Sequence, residues 1–158
     1  MTASAHVLTV SDRSARGERE DAAGPVAVAA LREAGWECPD ARIVADGAEV
    51  VEAALRDAVA AGARLVVTTG GTGVGPRDRT PEGTTAVIDR EVPGIAEELR
   101  RRGLAETPSA ILTRGVAGVV GESLVVNLPG SPRAVASGMP VIIGVAGHVL
   151  SQLGGGDH

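Results

Sequence analysis

The sequence predicts a three-layer α/β/α sandwich on a mostly parallel central sheet, with one β-hairpin. Three observations carry that prediction. Apolar runs of strand length alternate with amphipathic stretches of helix length, the order that covers both faces of a parallel sheet with helices. One run, Leu65-Val66-Val67-Thr68-Thr69, reads as a central strand buried on both sides. It leads directly into Gly70-Gly71-Thr72-Gly73-Val74-Gly75, where four glycines in six residues mark a sharp strand-to-helix connection. The 158 residues carry no repeat, linker or composition break, so a single domain over 1–158 is expected.

The elements follow in order. His6 to Ser11 is the first strand. Asp21 is placed to cap a helix that runs to about Ala34, with Gly35 as its stop and Pro25 in its first turn. Trp36 to Val44 reads as a second, poorer strand interrupted by Pro39. Ala48 to Ala61 is a helix with Val51, Leu55, Ala58 and Val59 on one face. Arg64 to Thr69 is the strand before the glycine turn. Thr80 fits an N-cap with Pro81 at the first helical position. Pro93 to Arg102 is a helix with Val92, Ile95 and Leu99 inward, and with Glu97–Arg101 and Glu98–Arg102 paired on its wet side. Arg114 to Val120 and Ser123 to Asn127 flank Gly121-Glu122, a hairpin turn. A last helix follows Ser131-Pro132, with interruptions expected at Gly138 and Pro140. Gly154 to His158 reads as a frayed tail.

Composition excludes several classes. A formal net charge of −5 disfavours nucleic acid and anionic membrane as partners. Phe and Tyr are absent and Trp36 is the sole aromatic, so no stacking platform for single-stranded nucleic acid exists. No apolar run is expected to reach membrane length, and the amino terminus lacks the pattern of a signal peptide. Cys38 stands alone, which rules out an internal disulfide and suits the reducing cytoplasm.

The glycine turn is the strongest candidate site. Ligands of open α/β sheets bind just past the carboxyl ends of the strands. Glycines there let backbone N–H groups turn inward on an anion. Gly70, Gly71, Thr72 and Gly73 are therefore candidate phosphate binders, and Asp78 is placed to hold a metal beside them. The turn is not a P-loop, because all 15 basic residues are arginine and the required Gly-Lys pair is missing. Nor is it a dinucleotide fingerprint, since Pro76 stands where that motif needs glycine. Asp12 lies at the same sheet edge, at the end of the first strand. Ser131 fits an N-cap, a role compatible with anion binding at a helix start. Asp46 and Glu49 have capping-box spacing, so on residues alone Asp46 is a cap. His148 reads as a packed or interface histidine, and no His/Cys set has metal-ligand spacing.

Five segments together carry a family resemblance: Val10-Ser11-Asp12-Arg13, Thr68-Thr69-Gly70-Gly71-Thr72-Gly73, Asp78-Arg79-Thr80-Pro81-Glu82, the Val92-Pro93-Gly94 turn and Asn127-Leu128-Pro129-Gly130-Ser131-Pro132. In this order they resemble the molybdopterin adenylyltransferases of molybdenum cofactor biosynthesis, a domain also found at the amino terminus of gephyrin. The resemblance covers about residues 5–153. It implies transfer of an adenylyl group from ATP to the terminal phosphate of molybdopterin, with release of pyrophosphate. It matches Asp46 to an acidic residue important for that transfer, and with Asp78 would place Mg²⁺. Ser11, Asp12, Thr80 and the Pro129-Gly130-Ser131 turn would complete the substrate pocket. The resemblance further implies a homotrimer, paired into hexamers in some members, and is compatible with contacts to other enzymes of the same biosynthesis. Which side takes the pterin and which the adenylate stays open. So does a non-catalytic molybdopterin-binding or scaffold role on the same fold, although the presence of both aspartates argues against it.

Overall fold

The computed structural model describes residues 3–156, which form β1 (Ala5–Val10), α1 (Asp12–Ala15), α2 (Ala23–Glu33), β2 (Arg42–Val44), α3 (Ala48–Ala60), β3 (Leu65–Thr69), α4 (Thr80–Thr85), β4 (Arg90–Glu91), α5 (Pro93–Leu104), a 3₁₀ turn (Pro108–Leu112), β5 (Ala117–Val120), β6 (Ser123–Leu128) and α6 (Pro132–Leu153). The sheet order is β2-β1-β3-β6-β5-β4. The first four of these strands are mutually parallel, and β5 and β4 complete an antiparallel edge. The expected sandwich and hairpin are both present.

Side-chain alternation on the strands builds two cores. Val7, Val67, Leu124 and Val126 face one side, against Leu31 of α2 and Met139 and Ile142 of α6. Leu8, Val10, Val66 and Val125 face the other side, against Val51, Leu55 and Ala58 of α3. Every residue of β3 and β6 is buried. Full burial of each such aliphatic side chain contributes about 1.5–3 kcal/mol. The chain reverses its direction of winding between β1 and β3, and this places a crevice at the carboxyl ends of those two strands.

Several expectations are corrected. The second strand shrinks to Arg42–Val44, because Pro39 offers no N–H to a ladder; Glu37 joins the sheet only through an isolated bridge to Ser4. The last helix is not interrupted but runs unbroken for 22 residues through Pro140. Gly138 is buried where the helix meets β6: a Cβ there would lie 2.7 Å from Leu128 Cδ2 and 3.1 Å from Leu99 Cδ2. Glycine here permits close packing and does not break the helix. Glu98, not Glu97, takes the partners on α5, pairing with both Arg101 and Arg102. The β4 edge and the 3₁₀ turn had no sequence signal of their own.

Helix α6 also corrects the expectation that no segment reaches membrane length. By length and composition it qualifies, with a mean hydropathy of 1.6. One stripe, Val135, Met139, Ile142 and Ala146, is buried against the body of the protein. Only 28% of the apolar window is buried; Ile143, Val149 and Leu153 are half-buried against the core, and Val145 is 36% exposed. His148 is exposed on this helix and is not packed. Asp157 and His158, at the end of the expected tail, lie outside the described residues.

Helices α3 and α4 cross closely at Gly83. A Cβ there would lie 2.6 Å from the Ala48 carbonyl oxygen and 2.9 Å from Val51 Cβ. Gly83→Val is expected to lower stability by about 2 kcal/mol, the size of an overpacking strain, read as a lower urea midpoint with an unchanged slope.

Candidate active site

The crevice is assembled from the carboxyl ends of β1, β2, β3 and β6. The glycine turn after β3 forms its floor. Gly70 (φ +93°) and Gly71 (φ +68°) both adopt left-handed backbone conformations. A Cβ on Gly70 would overlap the Val10 carbonyl oxygen, and one on Gly71 would overlap the Thr80 hydroxyl. Only glycine fits at either place. Gly130 closes against the turn from the β6 side, with its own Cβ position 3.3 Å from Gly70 Cα.

Hydrogen bonds orient this turn. Thr80 Oγ1 donates to the Gly70 carbonyl (2.9 Å) and Thr80 N donates to the Gly71 carbonyl (3.1 Å). Because each peptide is planar and trans, its N–H points away from its carbonyl. The amides of Gly71 and Thr72 are thereby turned to the opposite side. Among the described residues, the amides of Gly71, Thr72 and Gly73 donate to no acceptor. A row of unpaired N–H groups is the anion-binding arrangement expected of a nest.

Three sequence expectations change here. Gly70 is not an anion donor, because its amide is committed to the Leu128 carbonyl at 3.0 Å. Thr80 is not a substrate contact: it is fully buried and braces the turn from behind. Nor is Thr80 the cap, since the chain is already helical at that residue and the cap position is Arg79.

The acidic residues are arranged reciprocally. Asp12 N donates to Asp46 Oδ2 (2.9 Å), and Asp46 N donates to Asp12 Oδ1 (3.1 Å). Arg77 then forks onto Asp12, Nε to Oδ2 at 3.0 Å and Nη2 to Oδ1 at 3.1 Å, and also donates to the Asp46 carbonyl at 3.1 Å. Both Asp12 carboxylate oxygens thus accept protein hydrogen bonds, and the residue ties two loops together at the cavity wall. The Arg77 guanidinium holds the Asp12 carboxyl below the usual carboxylate range. Asp46 is not the cap of α3, whose cap position is Gly47. Burial pushes its carboxyl above the usual range; the Asp12 amide opposes that, and the neighbouring Asp12 and Asp78 charges add to it. Its Oδ1 has no donor among the described residues and lies 3.1 Å from the Cβ position of Gly71. Asp78 Oδ2 accepts from the Gly75 amide at 3.0 Å, which leaves Oδ1 free of described donors. Ser11 and Ser131 are caps of α1 and α6, accepting from Ser14 N (3.2 Å) and Ala134 N (3.0 Å).

Two cavities meet at this floor, and both are lined by Gly70, Gly71, Asp78 and Gly130. One, of about 480 Å³, extends past Thr72, Gly73 and Pro129-Gly130-Ser131 to Leu99, Arg100 and Leu112, where its walls become largely apolar. The other, of about 400 Å³, is lined by Ser11, Asp12 and Asp46, with Arg13, Arg16 and Arg19 at its polar wall. Each is large enough for one small ligand. The structure therefore gathers every expected site residue around one floor except Thr80, which stands behind it. Sequence reasoning missed Arg77, Arg100 and Arg114. Arg77 adjoins Asp78 in the same loop and could have been suspected; the other two carried no local signal.

The "Probable molybdopterin binding domain" family model matches residues 6–148, which include every site residue named above. The chain belongs to the molybdopterin-binding domain family. The molybdopterin adenylyltransferase of Haemophilus influenzae is 40% identical over 148 residues, covering 91% of this chain and 75% of its own length. A molybdenum cofactor biosynthesis bifunctional protein of Synechococcus elongatus is 42% identical over 98% of this chain, which spans only 48% of that longer protein. Among solved structures, the molybdopterin biosynthesis Mog protein from Mycobacterium ulcerans superposes with a TM-score of 0.90 at 44% identity, covering 96% of this chain and 99% of its own. The family's members thus share the fold across nearly the whole chain.

The raised Asp46 pKa has a consequence for stability. A carboxyl raised on folding destabilises the folded state once it ionises, and the cost disappears as pH falls through the folded pKa. Asparagine removes the charge and can still accept from the Asp12 amide. Asp46→Asn is expected to melt no lower than wild type near pH 7, with any gain closing as the pH is lowered toward about 4, followed by circular dichroism.

Proposed function

We propose that this chain is a nucleotidyltransferase that adenylylates molybdopterin with ATP in molybdenum cofactor biosynthesis. The observation that carries the reading is the meeting of two ligand-sized cavities at a row of unpaired amides flanked by Asp46 and Asp78. One substrate occupies each cavity, and the reacting phosphates meet over the shared floor. A terminal phosphate oxygen of the pterin attacks the α-phosphorus of ATP. The bond from that phosphorus to the bridging oxygen breaks, and pyrophosphate leaves. Such a reaction demands in-line placement and charge neutralisation more than a protein nucleophile. The amides of Gly71, Thr72 and Gly73 supply fixed dipoles for the phosphate oxygens. The adenylyltransferase name and 40% identity of the Haemophilus influenzae relative support the assignment.

The donor set fits Mg²⁺. Asp46 and Asp78 each keep a carboxylate oxygen without a described donor, and no group of three or more His, Cys, Asp or Glu residues gathers around a metal position among the described residues. Mg²⁺ is commonly held by one or two carboxylates and completed by substrate phosphates and water. When bound, it would neutralise charge on the phosphates. The free, buried Cys38 accords with a cytoplasmic setting. The half-covered face of α6, with Val145 36% exposed, suits a homotrimer or paired trimers.

Incubation with molybdopterin, ATP and Mg²⁺ tests the reading: adenylyl-molybdopterin and pyrophosphate are the expected products, and binding of the pterin without turnover would instead support a non-catalytic role. Asp78→Asn is expected to keep its fold and lower adenylyl transfer by about 100-fold, the typical loss when one electrostatic stabiliser is removed. Full turnover by that variant would remove Asp78 from the mechanism. Sedimentation at micromolar concentration is expected to give the mass of three chains or six, whereas an active monomer would show that assembly is dispensable.

A further inference from the structure

We propose that Arg114, gripped by Glu82, is a positioning residue that presents the phosphate-binding loop from Thr72 to Asp78. The inference rests on the adenylyl-transfer reading. The loop has no regular secondary structure between the end of β3 and α4, yet it carries both the unpaired amides and Asp78. Arg114 holds it at both ends. Its backbone N donates to the Thr72 carbonyl at 2.7 Å. Its Nε donates to the Gly73 carbonyl at 2.8 Å, and its Nη2 donates to the Asp78 carbonyl at 2.8 Å. Glu82, in the first turn of α4, receives the rest of the guanidinium, Nη1 to Oε2 at 2.6 Å and Nη2 to Oε1 at 3.3 Å. A forked, charge-assisted pair has the directional rigidity that a lysine contact lacks.

The geometry continues what Thr80 begins. Thr80 holds the carbonyls of Gly70 and Gly71, and Arg114 holds those of Thr72 and Gly73. All four carbonyls are thus drawn to protein donors, and planar trans peptides turn the following amides of Gly71, Thr72, Gly73 and Val74 the opposite way. Arg114 lines neither cavity, so it acts through the loop and not on substrate. Small misplacements of aligned groups are costly for in-line transfer.

Arg114→Lys keeps the charge and loses the fork. It is expected to lower kcat by about 10-fold or more and to weaken binding of inorganic pyrophosphate, measured by calorimetry, by a similar factor. The exchanged variant Glu82→Arg/Arg114→Glu separates positioning from a simple ion pair. It restores the opposite charges, but a carboxylate cannot donate to the Gly73 and Asp78 carbonyls. Recovery of melting temperature without recovery of kcat is expected. Recovery of both would overturn the proposal, as would an Arg114→Lys protein with unchanged kcat and pyrophosphate affinity. If the exchanged variant does not fold, Arg114→Lys alone decides. A wild-type chain that binds pyrophosphate but makes no adenylyl-molybdopterin would overturn the catalytic reading, while the change in pyrophosphate affinity would still decide the role of Arg114.

Discussion

The site depends on one constraint, the outward pinning of the carbonyls of the glycine turn. An amide row can face an anion only if the carbonyls of the same peptides are satisfied on the other side. Thr80 meets that need for Gly70 and Gly71 from a fully buried position. Thr80 is itself fixed by a buried polar network. Its carbonyl accepts from Thr84 Oγ1 at 2.8 Å, and Thr84 Oγ1 accepts from Asn127 Nδ2 at 2.9 Å. Asn127 also reaches Thr68 Oγ1 on β3 at 2.9 Å and accepts from Val116 N at 3.1 Å. Satisfied networks of this kind are rigid, because breaking any one bond strands a buried polar group. The strand that ends in the Pro129-Gly130-Ser131 wall and the turn that makes the floor are thereby registered to each other.

The acidic side of the crevice uses a different device. Two carboxylates close together repel, and a site needing one of them accessible must neutralise the other. Arg77 does this for Asp12, whose carboxylate then serves as a hydrogen-bonded latch for the Asp46 backbone. Asp46 is left with one oxygen engaged by an amide and one directed toward the turn. Burial of a carboxyl with a raised pKa is a cost to stability that functional sites commonly carry.

The two faces of the sheet serve different ends. On the α3 and α4 side, the small core positions α4, and through it Thr80. On the other side, α5, α6 and the 3₁₀ turn line the larger cavity beside the carboxyl end of β6. The same helix α6 that lines this cavity leaves Val145 exposed and Ile143, Val149 and Leu153 only partly covered.

Much of this was determined by the local sequence. The continuous apolar run of β3 specifies a strand buried on both faces, and the three-to-four spacing in α3 specifies a helix with one buried face. Paired glycines specify the left-handed turn, and Ser131 before Pro132 specifies a cap. Each of these is a short-range property of backbone conformation or burial period. The tertiary structure decided the partners. The capping pattern at Asp46 and Thr80 gave way because Asp12 and Gly70, brought alongside by parallel pairing of β1, β2 and β3, offered them other hydrogen bonds. Gly70 lost its amide to Leu128 for the same reason, since the turn continues the pairing of β3 with β6. Arg114 lies 41 residues from Gly73 and meets it only through the strand order. Local pattern encodes what a residue can do with its neighbours in the chain; which donor meets which acceptor across the sheet edge is set by topology.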